Sequence, residues 1–185
     1  MEEEYFYIGI DPGLKGACIA IDQNGEIGGS FALEHYADMP CYRKNRTRSV
    51  LNDESLMQWF CAFKNIRMIV AEESPPFKMG TVGAYTSGMN NGRLHLVCQR
   101  VMSHHGLSNF TNNFKTVNAV TWQKHAISEL NLAEKWDKEI SVAEAVKKWG
   151  DFPLFTKPKR TADGFSDAAW IAEYGKYLFK KDEIN

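Results

Sequence analysis

The stretch Tyr5-Phe6-Tyr7-Ile8-Gly9-Ile10-Asp11-Pro12-Gly13, followed by Gly16 and a second apolar run from Ala17 to Asp22, leaves few folds open to this chain. β-Branched and aromatic residues interrupted by Asp-Pro-Gly read as two strands joined by a tight turn. Side chains alternate along a strand, so Tyr7, Gly9 and Asp11 share one face while Ile8 and Ile10 share the other. A carboxylate therefore emerges at the strand's end. Pro12 cannot donate to a sheet ladder, so pairing stops there. Asp before Pro-Gly also opens ordinary turns; a metal or phosphate site at this end needs partners from elsewhere in the chain.

A second strand end repeats the arrangement. Ile66-Arg67-Met68-Ile69-Val70-Ala71 is nearly continuous in apolar residues, which fits a strand buried on both faces, and it runs into Glu72, Glu73 and then Ser74-Pro75-Pro76. Between the two, Gln23-Asn24-Gly25 predicts a hairpin turn into a third, antiparallel strand from Glu26 to Leu33. Residues 34–52 read as a long polar loop. Asn52 or Asp53 caps a helix reaching Phe63, with Leu56, Trp59, Phe60 and Phe63 on one stripe.

A helix is predicted from Thr81 to His104, with Gly88 and Gly92 one turn apart, a spacing that allows close backbone approach and reads as ordinary helix packing. Phe114 to Val117 is a short strand, and helices follow from Thr121 and from Asp137 to Trp149, the latter with Val142, Ala145, Val146 and Trp149 inward. A last helix is expected from near Asp163 to Phe179. Asp163 and Asp167 are neighbours on one of its faces, where like charges repel by a few tenths of a kcal/mol even in water. The small residues Ala168, Ala169 and Ala172 imply close packing beside the sheet.

Bulk properties fit this picture. At 185 residues, with 44% hydrophobic and 24% charged residues, the chain reads as a single domain over 1–185 with a real core. No apolar run reaches the roughly 18 residues of a membrane span, and the start Met1-Glu2-Glu3-Glu4 is the opposite of a secretory signal. A cytoplasmic protein is expected. Cys18, Cys41, Cys61 and Cys98 lack metal-ligand or disulfide spacing and are expected to be reduced and mostly buried. The net charge of −1 says little about nucleic acid, but Arg43-Lys44-Asn45-Arg46-Thr47-Arg48 and Lys157-Pro158-Lys159-Arg160 are local cationic runs.

Asp11, Glu72 or Glu73, Asp163 and Asp167 thus come from two strand ends and one helix start. If they converge, like charges about 4 Å apart cost about 4 kcal/mol per pair at an effective dielectric of about 20. A cation has to offset that. Carboxylates without His or Cys select Mg²⁺ or Mn²⁺, and two such ions serve phosphodiester hydrolysis.

Ile8-Gly9-Ile10-Asp11-Pro12-Gly13, the strand ending in Glu73, and Ser166-Asp167-Ala168-Ala169-Trp170-Ile171-Ala172, in this order over nearly the whole chain, resemble the RuvC family of Holliday-junction resolvases. That family lies in the RNase H-like superfamily. The resemblance implies an α/β, RNase H-like fold: a five-stranded mixed sheet, three antiparallel strands then two parallel, flanked by helices. It also implies a homodimer making paired symmetric nicks in four-way DNA, with two Mg²⁺ ions per site, Mn²⁺ substituting, and no nucleotide cofactor. Asp11 then matches the first catalytic aspartate and Asp167 the last. Glu73 is preferred over Glu72 because Gly88 and Gly92 follow it at the family's intervals. The third aspartate departs from the bacterial pattern: Gly164 stands three before Asp167 and Asp163 four before, which looks more like the phage-encoded branch, acting in a host cytoplasm. Lys138 resembles the family's catalytic lysine and Lys124 a second one. Arg43, Lys44, Arg46, Arg48, Lys159 and Arg160 become phosphate contacts, and Phe77 a wedge or a loop anchor. Rival readings are an RNase H-like nuclease for other branched DNA or RNA, a junction-binding module without catalysis, and an actin-like or sugar-kinase ATPase, for which the chain is short.

Overall fold

A computed structural model describes residues 4–13, 16–33, 35–40, 47–73, 81–107, 110–133, 135–150 and 159–184. Its main sheet has five strands: β1 (Phe6–Asp11), β2 (Ala17–Asp22), β3 (Ile27–Ala32), β6 (Ile66–Glu72) and β7 (Phe114–Val117). The order is β3-β2-β1-β6-β7. The first three pair antiparallel as a meander, and β6 joins β1 and β7 in parallel. This is the mixed sheet expected above. Gly25, at φ +92°, supplies the left-handed turn residue between β2 and β3.

Residues 34–52 depart from expectation. Instead of one loop they hold a two-stranded ribbon, β4 (His35–Pro40) and β5 (Thr47–Leu51), outside the main sheet. Buried Val50 and Leu51 anchor it, and the Leu51 amide donates to Asn90 Oδ1 at 3.1 Å.

Helices cover both faces of the sheet. One face carries Ile8, Ile10, Ile69 and Ala71 against α1 (Asp53–Phe60) and α2 (Thr81–His104), through Leu56, Phe60, Leu94 and Val101. Asn52 caps α1, accepting from the Ser55 amide, as its sequence position suggested. The other face carries Tyr7, Ile19, Ile21, Met68 and Val70 against α6 (Lys159–Ile184), which packs in turn on α4 (Ala119–Glu129) and α5 (Lys138–Trp149). A short helix, α3 (Phe110–Asn113), leads into β7.

The approach of α6 to the sheet is close because no side chain intervenes at Gly9. A methyl group there would overlap the Ala168 carbonyl oxygen and the Ala172 backbone. Gly175, one turn further along, lets Val70 and Met68 pack against the same helix. Among the described residues, no helix is long and apolar enough to cross a membrane. Cys18 and Cys98 are buried and free, whereas Cys61 is free and exposed.

Gly88 and Gly92 meet no packing partner among the described residues. Among the described residues nothing lies within 4 Å of a methyl group built on either, so the expectation of ordinary helix packing there fails. With Tyr85 and Leu96, 59% and 45% exposed, they form one outward stripe of α2 at helical spacing.

Candidate active site

Two parallel strands end side by side. Ile10 pairs with Ala71, and the next step sets Asp11 beside Glu72 on neighbouring strands about 4.8 Å apart. Residues level with each other on adjacent strands point to the same face, so both carboxylates rise on the side covered by α6. They feel one another: burial pushes the Glu72 carboxyl above its ordinary range, the Trp122 N–H opposes that rise, and the Asp11 charge adds to it. Trp122 Nε1 donates to Glu72 Oε2 at 2.7 Å. Asp11 also receives the Gly13 amide at 3.0 Å on Oδ1, the local bond by which an Asp closes an Asp-Pro-Gly turn.

Glu73 takes the opposite face. Its carboxylate meets the Thr116 hydroxyl at 3.3 Å, in a cleft that Asn91 and His95 of α2 also line. Alternation explains the outcome. The parallel register sets the phase of β6, and the first of two consecutive glutamates is the one level with Asp11.

Asp167 arrives from α6. Gly9 meets Ala168 and Ala172, and the Tyr7 ring meets Phe179, so α6 runs antiparallel to β1 and its early turns lie at the Asp11 end. Asp163 sits in α6 one turn before Asp167; its side chain lies outside the described residues. Asp167 Oδ1 accepts from the Ser141 hydroxyl at 2.6 Å. A carboxylate can only accept, so that hydrogen bond uses the single proton of Ser141, while Ser166 Oγ lies 3.1 Å from the same hydroxyl. Ser141 is fully buried, and with Ala145 it forms the inner face of α5 where sequence periodicity placed Val142. Among the described residues, no three His, Cys, Asp or Glu side chains converge closely enough to hold a metal together. Of the four carboxylates expected to cluster, Asp11 and Glu72 stand level on adjacent strands, and Asp167 is bonded to Ser141.

No family model matches this chain, and no curated protein matches it in sequence. Among solved structures it is similar to T. thermophilus RuvC in complex with Holliday junction substrate, over 97% of this chain and 96% of that one, at 12% identity and a TM-score of 0.49.

The lysines separate. Lys138 opens α5 behind its cap Asp137 and is exposed, three residues before Ser141 and hence on the same helical side. Lys124 is exposed too, but it follows Trp122 by two positions, about 200° round the helix. It points away from Glu72. Arg43, Lys44, Arg46 and Phe77 lie outside the described residues, as do the side chains of Arg48 in β5 and of Lys159 and Arg160 in the first turn of α6. Trp122 and Ser141 went unforeseen. Nothing in the local pattern marks an indole N–H or a helix serine as the partner of a distant carboxylate.

Proposed function

We infer that this chain is a structure-selective endonuclease that cuts four-way DNA junctions by divalent-metal-dependent phosphodiester hydrolysis. The observation that carries the chemistry is the Asp11–Glu72 pair, two carboxylates on one face at a shared strand end, where burial first and the Asp11 charge after it raise the cost of charging Glu72. A hard cation relieves that cost. The substrate class follows from the motif resemblance set out above.

The donor set fits Mg²⁺ or Mn²⁺, being carboxylate oxygen without thiolate or imidazole. Asp11 and Glu72 would hold the cation, with Asp167 and Asp163 completing a two-ion site from α6; Glu72 takes the place assigned to Glu73 from sequence. Such ions, when bound, activate water and neutralise charge on the phosphate and the leaving oxygen. The protein's own part is placement. The close contact at Gly9 brings α6 down to the strand end, the turn at Gly13 orients Asp11, and Lys138, on the Ser141 side of α5, would bind the phosphate being cut. The Asp163-x-x-x-Asp167 spacing is what likens the chain to the phage-encoded branch.

A homodimer would set two such sites on opposing strands. The outward stripe of α2, with Gly88 and Gly92 between Tyr85 and Leu96, suits a second copy because glycines let two helices approach closely. Gly92→Arg is expected to shift sedimentation from dimer to monomer and turn paired nicks into single ones. An unchanged dimer would remove α2 from the interface.

Phosphate contacts position a protein on DNA without reading sequence. Neutralising Arg43, Lys44 and Arg46 together is expected to weaken binding to every DNA shape. For each phosphate that a side chain no longer neutralises, the slope of log affinity against log salt flattens by about 0.9; an unchanged slope excludes this run.

The test of the whole reading is Mg²⁺-dependent incubation with a synthetic immobile four-way junction beside three-way, flap, single-stranded and RNA substrates. Paired nicks at symmetric positions in the four-way junction are expected. Equal cutting of all forms would favour a broader nuclease, and binding without cutting a non-catalytic module.

A further inference from the structure

We propose that Trp122 and Ser141 are positioning residues, two buried donors that each hold one oxygen of a site carboxylate and so fix how Glu72 and Asp167 present themselves to a divalent cation. The proposal rests on the function inferred above.

Both donors sit on residues that burial holds in place. Trp122 is fully buried, and its indole N–H can only donate; the bond to Glu72 Oε2 at 2.7 Å has the length of a charge-assisted contact. The indole is itself wedged, edge-on to Trp136 with ring centroids 5.8 Å apart. Ser141 is equally buried, and its bond to Asp167 Oδ1 is 2.6 Å. Its backbone is tied to the helix it serves, because Trp170 Nε1, one turn beyond Asp167, donates to the Ser141 carbonyl at 3.2 Å.

The two donors belong to one rigid unit. Trp136 stands edge-on to Trp170 as well, at 5.6 Å, so Trp122, Trp136, Trp170 and Ser141 form a continuous buried chain linking α4, α5 and α6. Glu72 and Asp167 are clamped at its two ends. Glu73 makes the contrast: its hydroxyl partner Thr116 is exposed and the contact is 3.3 Å, which leaves the side chain free to turn. If these bonds served only to satisfy buried polar atoms, removing them would cost stability and nothing else. As orienting bonds they must change cation affinity.

The experiment is calorimetric titration of Mn²⁺ into the DNA-free protein, for the wild type, Trp122→Phe and Ser141→Ala, with the Mg²⁺ concentration for half-maximal junction cleavage measured in parallel. Loss of an outer partner of a metal ligand weakens metal binding by about 10–100-fold, and each variant is expected to raise both quantities by a factor in that range. A folded variant that binds Mn²⁺ as tightly as the wild type overturns the role of that residue. Trp122→Phe preserves most of the buried ring; should it fail to fold, Ser141→Ala, which removes one oxygen atom, decides. The two levels of failure differ. A wild type that neither binds Mn²⁺ nor cuts junctions sinks the functional reading itself, whereas variants that match an active wild type sink only the clamp.

Discussion

Asp11→Asn or Glu72→Gln reduces junction cleavage by more than about a hundredfold, beyond what losing a group that merely orients a ligand costs, while junction binding is retained or slightly tightened. Either change keeps the shape of the side chain and removes its charge. The two carboxylates are adjacent because Ile10 pairs with Ala71 in a parallel register, so neither can substitute for the other. Binding survives because affinity for DNA comes from cations along the backbone, and one fewer negative charge at the cut phosphate cannot weaken it. Measured single-turnover rates and gel-shift affinities on the same junction separate the two effects. A variant cutting at the wild-type rate removes that residue from the site.

Gly9→Val is expected to cost about 3 kcal/mol or more of stability in urea unfolding. Even a single methyl at this position overlaps the Ala168 carbonyl and the Ala172 backbone, and backbone cannot move aside as a flexible side chain can. Helix α6 must lift from β1. Because the same helix carries Asp167, the fraction that stays folded loses cleavage as well. Gly9→Ala is the gentler version, with the same sign and a smaller effect. A variant as stable as the wild type would mean that α6 does not seat on β1 as described.

The strand ends were legible because an apolar run that stops at a carboxylate and a proline has few other meanings. The meander, a helix cap at Asn52 or Asp53, the helix ending at Trp149 and the span of α2 followed from local signals in the same way. Which of Glu72 and Glu73 stands level with Asp11 did not. Alternation says only that consecutive residues take opposite faces, and which face is which depends on the pairing of β6 with β1, a tertiary fact. The ribbon of β4 and β5 was missed for a related reason, since a polar two-stranded ribbon outside the main sheet carries little hydrophobic periodicity. On α5, periodicity favoured Val142, yet Ser141 faces inward because Asp167 receives its proton. Polar contacts between distant elements leave no trace in a hydropathy pattern.

The most direct measurement sets Glu72→Gln beside Glu73→Gln in one cleavage assay, on a labelled four-way junction at saturating Mg²⁺. The register of β1 and β6 predicts that the Glu72→Gln protein is inactive while the Glu73→Gln protein cuts paired strands much as the wild type does. The reverse result, with Glu73 required and Glu72 dispensable, would contradict the assignment of the carboxylate pair and with it the location of the active site.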